Sequence, residues 1–166
     1  MSHGLLKGKK GIIFGALNEQ SIAWKAALKA KEEGAELVLT NTPLSLRLGT
    51  MDQLAEQCNA LVVPADATSV EDLEGLVDKA MEHFGGQFDF ALHSVGMSPN
   101  IRKNKPYEYT NYDFFFKTLD ISALSLHKLL GVLYKKDALK EWGSVVALSY
   151  IAAQRTFEGY NDMADA

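Results

Sequence analysis

Only one cysteine, Cys58, occurs in the 166 residues, so no intramolecular disulfide can form and a reducing compartment, by default the cytoplasm, is expected. Cys58 lies in a helical stretch with no histidine beside it, which favours a buried packing thiol over a nucleophile. No apolar run approaches the roughly 18 residues of a membrane span, and Met1 to Lys10 lacks the apolar core of a signal peptide. Basic excess is also missing. With 17 Lys and Arg against 21 Asp and Glu the formal net charge is -4, which provides no field to neutralise a phosphate backbone, so nucleic acid is not an expected partner. His93 and His127 have no second ligand at metal spacing and no carboxylate arranged as a catalytic partner, and His3 and His83 read as surface residues, so no metal is expected. Internal repeats, low-complexity segments and linkers are absent, and the only long irregular stretch runs from Met97 to Tyr112.

What is present is an ordinary globular mixture, 47% apolar and 23% charged, enough for one domain over residues 1–166 with a real core. Short β-rich runs alternate with stretches of helical period. The strands read as Gly11–Phe14, Glu36–Thr40, Leu61–Val63, Phe88–His93 and Ser144–Ser149, nearly continuous apolar runs that suit strands covered on both faces. Between them, Ser21 to Glu33 puts Ile22, Ala23, Ala26, Ala27 and Ala30 on one helical face and stops at Gly34. Thr68 with Glu71 predicts a capping box ahead of the stripe Leu73, Leu76, Val77, Ala80 and Phe84, ended by Gly85-Gly86. Leu119, Ala123, Leu126, Leu130 and Leu133 predict a further stripe. Right-handed crossovers then favour an α/β fold, a doubly wound parallel sheet of the Rossmann type with strand order 3-2-1-4-5.

In such a sheet the first βα turn offers backbone N–H groups and a helix N-terminus to an anion, here the pyrophosphate of a dinucleotide. Gly15-Ala16-Leu17-Asn18-Glu19-Gln20-Ser21 occupies that place without the spacing G-x-G-x-x-G; Gly15 permits close approach and Ser21 supplies a hydroxyl. The second strand ends Thr40-Asn41-Thr42-Pro43, with no acidic residue for the adenosine ribose, so NADH and NADPH are not told apart. Arg47 suits either a 2′-phosphate or the plain surface of the following helix. The stretch from Met97 to Tyr112, polar and aromatic at the carboxyl edge of the sheet, reads equally as a substrate border or a surface loop.

Seven segments in order, Gly15 to Ala23, Gly34-Ala35-Glu36-Leu37, Asp66, His93 to Gly96, Asp120-Ile121-Ser122, Leu148-Ser149-Tyr150 and Tyr160-Asn161-x-Met163, together resemble the bacterial-type enoyl-acyl carrier protein reductases of the short-chain dehydrogenase/reductase superfamily. The resemblance covers essentially the whole chain. It implies a cytoplasmic, NADH-dependent enzyme of fatty-acid elongation, homotetrameric at full length, acting on an enoyl thioester carried on acyl carrier protein. It further implies that Gly15, Ser21 and Ile22 hold the pyrophosphate and that Thr42 stands near the adenosine ribose. Asp66 and Ala67 would flank the adenine, Ser94, Val95, Gly96 and Ile121 would line the ribose and nicotinamide side, and Ser98 would touch substrate. For Asp66 the spacing alone equally allows a turn residue at the start of the following helix.

Hydride addition to the β-carbon of an enoyl thioester loads negative charge on the thioester oxygen, which a hydroxyl donor can stabilise. By the resemblance Tyr160 is that donor and Tyr150 the second active-site tyrosine; either one, taken singly, also fits a packing role. Carbonyl-reducing relatives use Tyr-x-x-x-Lys, but Gln154 and Ala164 stand four residues past Tyr150 and Tyr160. The enoyl reductases leave six residues between tyrosine and lysine, which from Tyr160 points one position beyond Ala166. The expectation is therefore a domain truncated at its C-terminal end, its last strands absent, inactive and marginally folded by itself. A non-catalytic nucleotide-binding remnant and a carbonyl-reducing dehydrogenase are the alternatives.

Overall fold

A computed structural model describes residues 2–155 and 157–166. Five parallel strands, β1 (Lys10–Phe14), β2 (Glu36–Thr40), β3 (Leu61–Val62), β4 (Phe88–His93) and β5 (Leu139–Ala147), form one sheet in the order 3-2-1-4-5. Successive side chains of β1 point to opposite faces, so Ile12 and Ile13 found two cores. Ile12, Phe14 and Val38 pack with Leu73, Leu76 and Val77 of α4 (Val70–Phe84) and Leu129 and Val132 of α7 (Ser125–Lys135). Ile13, Leu37 and Leu39 pack with Ala23, Trp24 and Ala27 of α1 (Ile22–Glu32) and Leu54 and Cys58 of α3 (Met51–Cys58). Cys58 is buried, and burial pushes its thiol up, away from the reactive thiolate.

Three helical expectations shift. The sheet-facing stripe of α1 is Ala23, Trp24, Ala27 and Ala30, while Ile22 is 68% exposed. Small alanines leave the space that the Trp24 indole fills, a pairing invisible to a search for one residue size. The cap of α4 is Ser69, whose hydroxyl accepts the Asp72 N–H at 3.1 Å, and not a Thr68–Glu71 box. Asp72 at N3 instead accepts the Asp66 N–H at 2.9 Å. Ser69→Ala is expected to cost about 1 kcal/mol, measurable by urea unfolding, with Glu71→Ala close to neutral. Third, the buried face of α7 is Ser125, Leu129, Val132 and Leu133, with Leu130 exposed. A π-helical turn over Asp120–Leu124 joins α6 (Tyr112–Leu119) to α7, and its wider winding breaks the phase of a continuous 3.6-residue stripe.

β5 starts five residues before its expected Ser144, because its pairing with β4 jumps from Phe88↔Leu139 to Phe90↔Ser144. The intervening residues bulge, and Trp142 takes φ 64° with 95% of its surface exposed. The stretch from Met97 to Tyr112 is not irregular throughout: α5 (Pro99–Arg102) and a 3-10 turn at Tyr107–Tyr109 organise it. The remaining helices are α2 (Pro43–Leu48), between β2 and α3, and α8 (Asn161–Asp165), after a 3-10 turn at Ile151–Ala153.

The amino edge of the sheet is tied by Asp89, which accepts from Lys9 Nζ and the Lys10 N–H at 2.9 Å each and from Lys140 Nζ at 3.0 Å. Burial pushes this carboxyl up, but the Lys9 ammonium, the Lys10 N–H and the Lys140 ammonium outweigh it and hold it below the ordinary value of 3.8. A lowered folded-state value means that the contribution is complete above the unfolded value and is lost as pH falls through the folded one. The stability difference between parent and Asp89→Asn should therefore be constant above about pH 5 and shrink on further acidification, as read from urea midpoints.

Candidate functional site

The carboxyl ends of β1 and β4 lie side by side where the chain switches from one side of the sheet to the other, and the crevice of a doubly wound sheet opens at such a point. Gly15 leaves β1 at φ 84°, donates its N–H to the Thr40 carbonyl at 3.1 Å, and presses on β4 so closely that a Cβ would lie 1.9 Å from the Ser94 carbonyl oxygen. Both the left-handed backbone and the contact demand glycine. The turn then folds onto its own cap. Ser21 Oγ accepts the N–H groups of Leu17 and Asn18, each at 3.1 Å, and Asn18 Oδ1 accepts from Gln20 N–H at 3.0 Å. Thus Ser21 shapes the turn through its hydroxyl, while α1 starts directly behind it at the exposed Ile22 and presents its first-turn N–H groups and positive dipole end to the crevice.

Asn41 ties the end of β2 to this turn: its Nδ2 donates to the Ala16 carbonyl at 2.9 Å and its Oδ1 accepts the Thr42 N–H at 2.8 Å. The Thr42 hydroxyl caps α2, accepting from Ser45 N–H at 3.2 Å and reaching Ser45 Oγ at 2.9 Å. Asp66 is a turn residue in hydrogen-bonding terms, with Oδ1 accepting both the N–H and the hydroxyl of Thr68 at 2.9 and 2.8 Å; Ala67 beside it is buried. Lys128 bridges this turn to the π-helical turn, donating to the Thr68 carbonyl at 2.8 Å and to Asp120 Oδ1 at 2.5 Å.

Across the crevice, Val95 packs on the core, and Gly96 is backed by Met163, whose Cε would stand 3.0 Å from an added Cβ. Ile121 contributes its carbonyl to Ser125 Oγ at 2.6 Å. That bond uses the hydroxyl proton of Ser125, so the 2.8 Å contact between His93 Nε2 and Ser125 Oγ has the imidazole donating. Burial lowers the pKa of His93, which keeps the ring neutral and structural. Ser98, expected at the substrate, is buried; its hydroxyl donates to Asp162 Oδ1 at 2.7 Å and accepts the Ile101 N–H at 3.1 Å. In this arrangement its hydroxyl is engaged within the loop that follows β4 and with α8.

Beyond β5 the rings of Tyr150 and Tyr160 lie 5.6 Å apart at 47°. Tyr160 is 44% exposed and also meets Phe157 edge-on at 6.3 Å, whereas the Tyr150 hydroxyl is buried with no hydrogen-bond partner among the described residues. Burial first, then the proximity of Tyr160 and Asp162, push the Tyr150 phenol up, so it stays protonated at neutral pH and available as a donor. Sequence reasoning missed Asn41, Lys128 and Asp162, because each acts on partners distant in the chain or on a backbone carbonyl and none belongs to a short motif. Among the described residues no group of three His, Cys, Asp or Glu is arranged to hold a metal, and no helix is long and apolar enough to cross a membrane.

The model of the family described as "Enoyl-(Acyl carrier protein) reductase" matches residues 15–166. The enoyl-acyl-carrier-protein reductase (NADH) FabI of Rickettsia felis is 36% identical over 166 residues, covering 98% of this chain and 62% of its own. The crystal structure of FabI from Alistipes finegoldii superposes with a TM-score of 0.96 at 70% identity, over 99% of this chain and 63% of that one. A FabI–NADH complex from the same organism gives the same TM-score and identity over 98% and 58%. The chain thus spans about three-fifths of the length of these relatives.

Proposed function

The chain belongs to the enoyl-(acyl carrier protein) reductase family, and from that membership we propose that it carries the dinucleotide-binding and tyrosine-bearing part of an NADH-dependent enoyl-acyl carrier protein reductase of fatty-acid elongation. Residues 1–166 are read as one dinucleotide-binding domain. The observation that carries the reading is the tyrosine pair: two phenols 5.6 Å apart after β5, one hydroxyl buried and unpartnered, beside the crevice that Gly15 and Ser94 close at its floor.

The residues present fit a dinucleotide. A turn without a side chain at Gly15, the N-terminus of α1 and the exposed Ile22 form a cradle for a pyrophosphate, with Ser21 holding the loop amides in place. Thr42 and the Asp66–Ala67 turn border the adenosine end, and Ser94, Val95, Gly96 and Ile121 border the ribose and nicotinamide end. When bound, NADH supplies the hydride for the β-carbon of a trans-2-enoyl thioester. Tyr160, half-exposed, donates its hydroxyl to the thioester oxygen and stabilises the enolate, and a proton at the α-carbon completes the reduction. Tyr150, kept protonated by burial, lies against the Tyr160 ring and supports its orientation or donates to the same oxygen. Ser98 stays assigned to the substrate side as part of the loop that follows β4.

The resemblance of this chain to short-chain reductases and its single cysteine support a cytoplasmic enzyme. Exposed aromatics on α6 and α7, Tyr112, Phe116 and Tyr134, support assembly with further copies, as a homotetramer. The test is NADH oxidation by the full gene product with crotonyl thioester against acetoacetyl thioester. Turnover of the enoyl substrate with little of the ketone is expected; the reverse order would make it a carbonyl reductase.

A further inference from the structure

Asp162 is 1% exposed, and among the described residues its carboxyl group accepts from three uncharged side chains in two separate stretches of the chain. Ser98 Oγ donates to Oδ1 at 2.7 Å and Asn100 Nδ2 to Oδ2 at 2.9 Å, the first from the N-cap of α5 and the second from within the helix. The Thr118 hydroxyl of α6 lies 2.6 Å from Oδ2 and 2.8 Å from the Phe114 carbonyl, so its one proton serves either acceptor at a time. Asn100 is itself fixed, exchanging two bonds of 3.1 Å with the backbone of Asn111. A buried carboxylate is a costly way to join helices, since apolar side chains of similar volume would do so as stably. What it adds is a single allowed geometry, because each donor must find its lone pair.

The helix so anchored adjoins the backbone of one residue of the proposed site. α8 begins immediately after Tyr160, and the Ala164 N–H bonds the Tyr160 carbonyl at 3.0 Å, so the Tyr160 backbone is the first link of the helix that Asp162 anchors. Met163, the next residue, rests on Ser122 Oγ at 3.6 Å and against Gly96. We propose that Asp162 is a positioning residue that sets the placement of Tyr160 by clamping α8 to the α5–α6 segment through Ser98, Asn100 and Thr118. The inference rests on the reading of Tyr160 as the oxygen-facing donor.

The experiment uses the full gene product as parent, Asp162→Ala and, should that variant fold poorly, Thr118→Val, each also in a Tyr160→Phe background. A displaced donor should lower kcat with the enoyl thioester about ten- to a hundredfold, with KM for NADH within about threefold of the parent. In the Tyr160→Phe background the same change should lower kcat no further, because the group being positioned is gone. An equal loss in both backgrounds, or an unchanged kcat in a folded Thr118→Val protein, would overturn the proposal. A second readout is independent of turnover: with 3-fluorotyrosine at position 160, its fluorine resonance should shift or broaden in Asp162→Ala or Thr118→Val. An unchanged resonance overturns the positioning role. Absence of enoyl reduction by the parent would sink the functional reading instead, with the fluorine signal still deciding the clamp.

Discussion

Tyr160→Phe in the full gene product is expected to lower kcat for an enoyl thioester about a hundred- to a thousandfold while leaving NADH affinity within about threefold. The ring survives, so the contacts with Tyr150 and Phe157 survive with it. Only the hydroxyl proposed to face the developing oxyanion is lost, and an interaction made in the transition state alone appears in kcat. Tyr150→Phe should have a smaller effect, on the order of tenfold, because its hydroxyl has no partner to lose among the described residues. Steady-state kinetics with both variants and NADH titration by fluorescence check the pair. Full activity in both would remove the tyrosines from the mechanism.

Gly15→Ala is expected to weaken NADH binding at least a hundredfold, about 2.7 kcal/mol, and to destabilise the fold as well. Two costs add at this position. A Cβ at φ 84° is strained by about 1–2 kcal/mol before any contact is counted. It would also lie 1.9 Å from the Ser94 carbonyl oxygen, so β1 and β4 must separate where the crevice begins. Since that oxygen is backbone, no side-chain rotation relieves the clash. Gly75→Ala, in the exposed part of α4 with no heavy atom near its added Cβ, is the control and should stabilise by about 0.5–1 kcal/mol. Calorimetry on NADH and thermal unfolding of the two variants separate local from general effects. Wild-type affinity in Gly15→Ala would refute the placement of the cofactor turn.

Strand order was legible because β1 and β2 are buried on both faces and so lack polar alternation, β4 is apolar at four of its six positions though only partly buried along Phe90 and Leu92, and right-handed crossovers leave few orders open. β5 was half legible. Its first residues, Lys140-Glu141-Trp142, carry no strand pattern because they bulge away from β4. Thr68 and Ser69 compete as caps at adjacent positions, and the choice turns on Asp66, which engages the Thr68 hydroxyl. In the site, Gly15 could be singled out from its place after a strand. The roles of Ser21 and Thr42 could not be read so finely, since a hydroxyl in a turn can serve its own loop as well as a ligand, and both do serve their loops. Asp162 was illegible for a different reason: its donors stand 44 to 64 residues earlier in the chain, and only the folded arrangement brings them together.

Isotope transfer tests most directly whether the proposed site delivers hydride to a β-carbon. The full gene product is supplied with NADH deuterated at its transferable position and with crotonyl thioester, and the product is analysed by mass spectrometry and NMR. One deuterium at C3 of a butyryl thioester is the predicted result. Recovery of unlabelled crotonyl thioester alone, or deuterium on a carbonyl-derived carbinol when acetoacetyl thioester is supplied instead, would contradict it.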